Sequence, residues 1–322
     1  MKRGHGLAVF LAALALATAG LAQQKKQKII LDCDLGGDID DAFAVALVLS
    51  SPELDVLGIT LDHGLTPERA RVACRMLYET GLERIPVAVG RVTPSVVGEG
   101  EKPDAFQPQF RWAEGFDKIK PVPAPAADFI IQTLRRFPNE VVLFTVGPVP
   151  NIGDVIQKDP GALKLAKAVV SMFGSFCMGY NQGPIPSAEW NVRADVASAR
   201  RFAASGAPIT YAGLDVTTFV KLEADRRLKL LMRQSPLTDA LCGLYVLWGR
   251  ETPTLFDPVA VGMVLWPELF TFRPAHVRVI EGGFTVIDEG KEPNCRIGVS
   301  IQKEEFLNRL MKRLLEQNLG RR

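Results

Sequence analysis

The sequence predicts an α/β fold, a single domain with a mostly parallel central sheet and helices on both faces. Three observations carry this expectation. Short apolar runs that read as buried strands alternate with longer segments whose apolar positions recur at helical spacing, and parallel strands need such crossovers between them. A chain of 322 residues, 47% of them apolar, can bury one large core. The first strand also leads straight into a glycine turn and an acidic helix start, Asp34 to Asp41, at the carboxyl end of a strand, where sheets of this kind bind their ligands.

Residues 1–22 have the pattern of a secretory signal peptide, with Lys2 and Arg3, an apolar run from Leu7 to Ala17, and small residues through Ala19 and Ala22. That run is short for a membrane span. An extracytoplasmic mature chain, periplasmic or secreted, is expected, with its α/β domain over residues 28–318. Losing Lys2 and Arg3 leaves basic and acidic side chains equal at 36 each. Such a balance gives no general attraction to nucleic acid or to an anionic membrane. Cys33, Cys74, Cys177, Cys242 and Cys295 are odd in number and contain no CxxC pair, so they specify neither a disulfide framework nor a zinc site, although one disulfide stays open.

Ile29 to Leu31 is the first strand, and the spacing of Asp32 and Asp34 places both carboxylates on one side, with Cys33 turned away. Gly36 and Gly37 turn the chain. Asp38, Asp40 and Asp41 then open a helix with Ala42, Phe43, Val45, Ala46 and Val48 on its apolar positions, and the positive end of the helix dipole favours acids there. Five carboxylates on one turn repel, since two like charges about 4 Å apart cost roughly 4 kcal/mol at an effective dielectric near 20. Oxygen ligands without His or Cys suit a hard divalent cation, Ca²⁺ or Mg²⁺, more than zinc. Asp38 alone reads equally well as an extra ligand or a helix cap.

Val56 to Leu61 is the second strand, Pro67 to Gly81 a helix with Ala70, Ala73, Cys74, Leu77 and Tyr78 on its apolar face, and Ile85 to Val89 the third strand. Residues 91–125 are rich in Pro and Gly and carry Phe106, Phe110, Trp112 and Phe116. They form either a lid over a ring-shaped substrate or an aromatic loop packed on the domain. A helix from Ala126 to Phe137 precedes strands at Val141 to Thr145, Ala168 to Phe173 and Pro208 to Ala212. The pattern from Leu222 to Arg250 is helical. Strands near Val277 to Ile280, Phe284 to Ile287 and Arg296 to Ile301 lead to a closing helix whose stripe of Phe306, Leu307, Leu310, Met311, Leu314 and Leu315 is core packing.

The run from Asp32 to Ala42 resembles the amino-terminal DxDPGxDDA motif of the inosine-uridine preferring nucleoside hydrolases, with Leu35 for Pro and two extra residues before Asp40-Asp41. Val146-Gly147-Pro148-Val149-Pro150-Asn151 resembles that family's TGPLTN segment, and Ala188-Glu189-Trp190-Asn191 its AEFN motif, with Asp195 matching the acid that opens the next helix. Leu214-Asp215-Val216-Thr217 matches LDVT and reads as structural. Phe256-Asp257-Pro258-Val259-Ala260-Val261 resembles HDPxAV, with Phe256 replacing His. The motifs follow the family order, and the chain looks like a variant branch.

The resemblance implies a Rossmann-like core, a homo-oligomer, and calcium-dependent hydrolysis of the N-glycosidic bond of ribonucleosides or related N-ribosides, as in purine and pyrimidine salvage. By the same resemblance Asp34, Asp41, the Val146 carbonyl and Asp257 hold Ca²⁺, and Asp34 is the base that takes a proton from the attacking water. Asp40, Glu189 and Asn191 bind the sugar, for which a carboxylate acceptor and an amide that both donates and accepts are suited. Phe256 can stack on the ring of the leaving group but cannot donate a proton to it. The family's Gly-Asn after the second strand is Gly64-Leu65 here, so a sugar contact is missing, with Asp62 and His63 beside the gap. Trp190 is expected in packing. Two alternatives stay open. A non-catalytic calcium- and ribose-binding protein of the same fold accommodates Leu65 and Phe256. A haloacid dehalogenase-type phosphatase accommodates Asp32-x-Asp34 but gives no role to Asp40-Asp41, Glu189 or Asp257.

Overall fold

The computed structural model describes residues 25–321, and the signal segment expected over residues 1–22 lies outside them. The first half of the chain runs β1 (Gln27–Cys33), α1 (Asp40–Leu49), β2 (Leu54–Leu61), α2 (Thr66–Glu79), β3 (Val87–Val89), α3 (Ala126–Arg136), β4 (Val141–Thr145) and α4 (Pro150–Lys158). The second half contains β5 (Ala168–Met172), α5 (Trp190–Arg193), α6 (Val196–Ala203), β6 (Ile209–Ala212), α7 (Leu214–Thr217), α8 (Ala224–Arg233), α9 (Pro236–Trp248) and α10 (Phe256–Leu265). It closes with β7 (Phe270–Ala275), β8 (Val277–Val279), β9 (Thr285–Ile287), β10 (Cys295–Ile301) and α11 (Lys303–Glu316).

Eight strands form one sheet in the order β3-β2-β1-β4-β5-β6-β10-β7, and every pairing is parallel except β10 with β7. This is the expected mostly parallel architecture. The pleat of β1 sorts its side chains between two cores: Ile29, Leu31 and Cys33 pack with α1, α2, α9, α10 and α11, while Ile30 packs with α3, α4 and α6 on the other face. Strands covered on both faces read as continuous apolar runs, which is why β1 and β4 stand out in the sequence.

Three elements differ from expectation for identifiable reasons. The helical pattern from Leu222 to Arg250 is two helices, because Gln234 takes a left-handed conformation (φ 51°) and Ser235 caps α9 in a reciprocal capping box ahead of Pro236. β7 is an addition to the expected strands, and its Pro274 is tolerated because β7 is an edge. Thr285–Ile287 and Val277–Val279 are strands, as expected, but pair only with each other in a separate ribbon. Residues 91–125 contain one short 3₁₀ turn, Pro108–Ala113, that buries Phe110. Trp112 and Phe116 pack on the first core, so the aromatic loop is braced on the domain.

Candidate active site

A cavity of about 480 Å³ opens at the carboxyl ends of the strands, and Asp34, Asp40, Asp41, Val146, Glu189, Asn191, Phe256 and Asp257 all line it. Segments widely separated in sequence deliver them. The turn after β1 and the start of α1 bring the first three acids, and the first turn of α10 brings Asp257. Val146 follows β4, and Glu189 and Asn191 come from the cap and first turn of α5.

Among the described residues, Asp40, Asp41 and Asp257 are the acids that present ligand atoms within 4.8 Å of one another, and all three are buried. Burial, followed by the charges of the neighbouring aspartates, pushes their carboxyls well above the usual range. A hard divalent cation would relieve both effects at once, so the donor set fits one. Asp34 stands beside this group, and Asp40, which belongs to it, also lines the cavity where a sugar would lie. The Asp34 amide donates to Asp41 Oδ1 at 3.0 Å, and its carboxylate faces Arg69 at 3.6 Å. The Val146 carbonyl accepts from the Asn191 amide at 2.6 Å, and the same amide donates to the Met172 carbonyl at 3.0 Å.

Asp32 departs from the expected arrangement. It lies beneath the cavity on the face toward α4, where Thr60 Oγ1 donates to it at 2.5 Å and Asn151 Nδ2 at 2.8 Å. β1 ends at Cys33, so Asp34 is carried beyond the sheet and the two carboxylates part company. Burial raises the Asp32 carboxyl to about 7. The Asp62 carboxyl is buried against it, and no other side chain or amide among the described residues donates to its oxygens.

Glu189 is held by backbone amides: Asn191 N–H donates to Oε1 at 2.9 Å and Gly174 N–H to Oε2 at 3.0 Å. Burial still lifts its carboxyl to about 7. Asp195 caps α6, accepting from Ser198 N–H at 2.9 Å. Asp215 accepts from the amides of Phe176 and Cys177 at 2.9 and 2.7 Å, the structural role expected of its segment. Trp190 is on the cavity wall rather than in packing alone, edge-on to His63 at 6.1 Å. His63 Nε2 meets the Ser95 carbonyl at 3.0 Å.

Two residues passed unnoticed in the sequence. Arg69 is buried among the acids, and Gln109 explains how the lengthened turn is held: its Nε2 donates to the carbonyls of Gly37 and Asp38 at 2.9 and 3.1 Å. Both look like ordinary polar positions, one on a helix and one in a loop. Only the fold brings them to the turn.

A parallel α/β sheet with a buried carboxylate cluster at its carboxyl edge is an arrangement for holding a cation against a polar substrate. The chain belongs to the inosine-uridine preferring nucleoside hydrolase family, whose model matches residues 29–308. It is 31% identical over 317 residues to the pyrimidine-specific ribonucleoside hydrolase RihA of Citrobacter koseri, covering 89% of this chain and 97% of that one. It is 30% identical to uridine nucleosidase 1 of Arabidopsis thaliana over 83% of each. The plant nucleoside hydrolase PpNRh1 superposes with a TM-score of 0.78 at 25% identity, over 90% of this chain and 99% of that one. The purine-preferring ribonucleoside hydrolase from Gardnerella vaginalis does so with 0.75 at 25%, over 90% and 98%. Membership makes the chain an N-glycosyl hydrolase and sets aside the phosphatase and non-catalytic readings.

Proposed function

We propose that this chain hydrolyses the N-glycosidic bond of ribonucleosides or related N-ribosides with the help of Ca²⁺, which Asp34, Asp41, Asp257 and the Val146 carbonyl hold. The observation that carries the reading is the convergence of buried acids with Glu189 and Asn191 around one cavity. The cation supplies, when bound, an electrophilic anchor for oxygen atoms of water and sugar. Asp34 is the acid whose carboxylate stands beside the Asp40, Asp41 and Asp257 cluster, steadied by Arg69. It accepts the proton of the water that attacks the anomeric carbon.

Glu189 and Asp40 accept hydrogen bonds from ribose hydroxyls. The Asn191 amide nitrogen is engaged by two carbonyls, which leaves its oxygen to receive a third hydroxyl. As the bond to the base stretches, positive charge grows on the sugar, and the surrounding carboxylates favour it electrostatically. Phe256 forms the apolar wall for the base. An extracytoplasmic location and a homo-oligomeric assembly belong to the same proposal.

The test is release of ribose from inosine, uridine and nicotinamide riboside, with Ca²⁺ and with chelator. Release should require the cation, and Asp34→Ala should lower turnover by about 10³-fold, within the range for a positioned general base. Full turnover in an Asp34→Ala protein that still binds calcium would remove Asp34 as the base.

A further inference from the structure

Phe256 opens α10 immediately before Asp257, and its ring meets Tyr180 edge to face at 6.1 Å. The Tyr180 hydroxyl extends to Glu189 Oε1 at 3.4 Å and accepts from the Trp190 amide at 2.8 Å. The two rings therefore make a wall that joins the cation cluster to the sugar-binding edge. Among the described residues that line the cavity there is no lysine, and His63 is the one histidine. The Tyr180 hydroxyl is aimed at Glu189, and burial makes the phenol a weaker acid still. The charge of Arg250 acts on Asp38, and a guanidinium group is not a proton donor in the acid–base sense. His63 packs on Trp190, with Nε2 against the Ser95 carbonyl, and burial disfavours its protonated form.

The charge of the cavity points the same way. Seven carboxylates line it, against the two guanidinium groups of Arg69 and Arg250. A divalent cation bound among them favours their ionised forms and, with the two guanidinium groups, sets four positive charges against seven carboxylates. Such a cleft concentrates cations and disfavours an anionic leaving group.

We propose that the substrates this site favours are cationic N-ribosides, in which ribose is joined to the quaternary nitrogen of a pyridinium-type ring. The inference rests on the N-glycosidase reading of the same site. In hydrolysis the water oxygen bonds to the anomeric carbon and the water proton passes to Asp34. The C–N bonding pair stays with the ring nitrogen and cancels its positive charge, so the ring departs as a neutral pyridine with no proton added. A neutral purine or pyrimidine nucleoside leaves that pair on an anionic nitrogen, which calls for the acid that Phe256 cannot supply. The faces of Phe256 and Tyr180 also attract a cationic ring.

Steady-state kinetics of the mature chain with Ca²⁺ on nicotinamide riboside, uridine and inosine test this. A kcat/KM for nicotinamide riboside about 100-fold above the other two is expected, comparable to what a general acid contributes. Phe256→His should narrow the ratio by raising uridine and inosine turnover about tenfold or more. In the wild type, added salt should raise KM for nicotinamide riboside and leave that for uridine in place, a reading that does not depend on the variant folding. Uridine or inosine cleaved as well as nicotinamide riboside, or equal salt dependence, overturns the proposal while the N-glycosidase reading stands. No ribose from any of the three overturns both.

Discussion

Arg69 links several segments of the site. Its Nε donates to the His63 carbonyl at 2.6 Å and Nη1 to the Leu35 carbonyl at 3.2 Å, while Nη2 faces Asp34 at 3.6 Å and Asp104 at 3.9 Å. Arg69 is 1% exposed, and its guanidinium lies over the Phe110 ring. Removing one member of a buried ion pair strands the other charge and its hydrogen-bonding groups. Arg69→Met should therefore cost about 3 kcal/mol or more in urea unfolding, and turnover should fall as Asp34 loses its support. A change under 1 kcal/mol would mean that water replaces the guanidinium. At this scale the site was partly legible. The acids announced themselves through spacing and through the charge problem they create, but Arg69 occupies a position beside the apolar helix stripe that any polar residue could fill. Its meaning arises only when β1 and α2 meet.

The elements that matter most are the turns after β1 and β4, which touch. A Cβ added to Gly147 would stand 2.7 Å from Asp34 Oδ1 and 2.8 Å from both Asp34 N and Asp62 Oδ1. Gly147→Ala should displace Asp34 and cost about 1–3 kcal/mol as an overpacked site, with kcat falling further than the melting curve explains. Unchanged kcat in the folded variant would mean that the turn relaxes without moving the acid. Strand and helix identities were mostly readable because buried parallel strands are apolar along their length. Strand order was not readable. β10 inserts beside β6, and β7 folds back on its other side, an arrangement set by packing between distant segments rather than by any local pattern. The break between α8 and α9 was visible in Ser235-Pro236 but outweighed by the apolar period on either side.

For the molecule as a whole, cation binding and folding are coupled, because the acids meet only once α1, α10 and the sheet have assembled. Burial holds the carboxyls of Asp32 and Glu189 at about 7, above their ordinary values of 3.8 and 4.5. At these two groups the folded chain binds more protons than the unfolded chain between those limits, so the stability they contribute is greatest below the ordinary carboxyl range and declines as pH rises to and through 7. In chelator, melting temperature should fall from pH 5 to pH 8. Ca²⁺ at 100 times its Kd should restore about 2.7 kcal/mol at pH 8, and Asp257→Asn should abolish that gain. A melting temperature that rises with pH in chelator would contradict the assignment. The brace from Gln109 to Gly37 spans 72 residues of sequence, and it makes the two segments depend on each other. Shortening the acidic turn leaves the glutamine amide without its carbonyls, and losing the glutamine leaves a long turn unsupported. Across a lineage the two should be gained and lost as one trait, and relatives with the longer turn but no glutamine in this loop would contradict that.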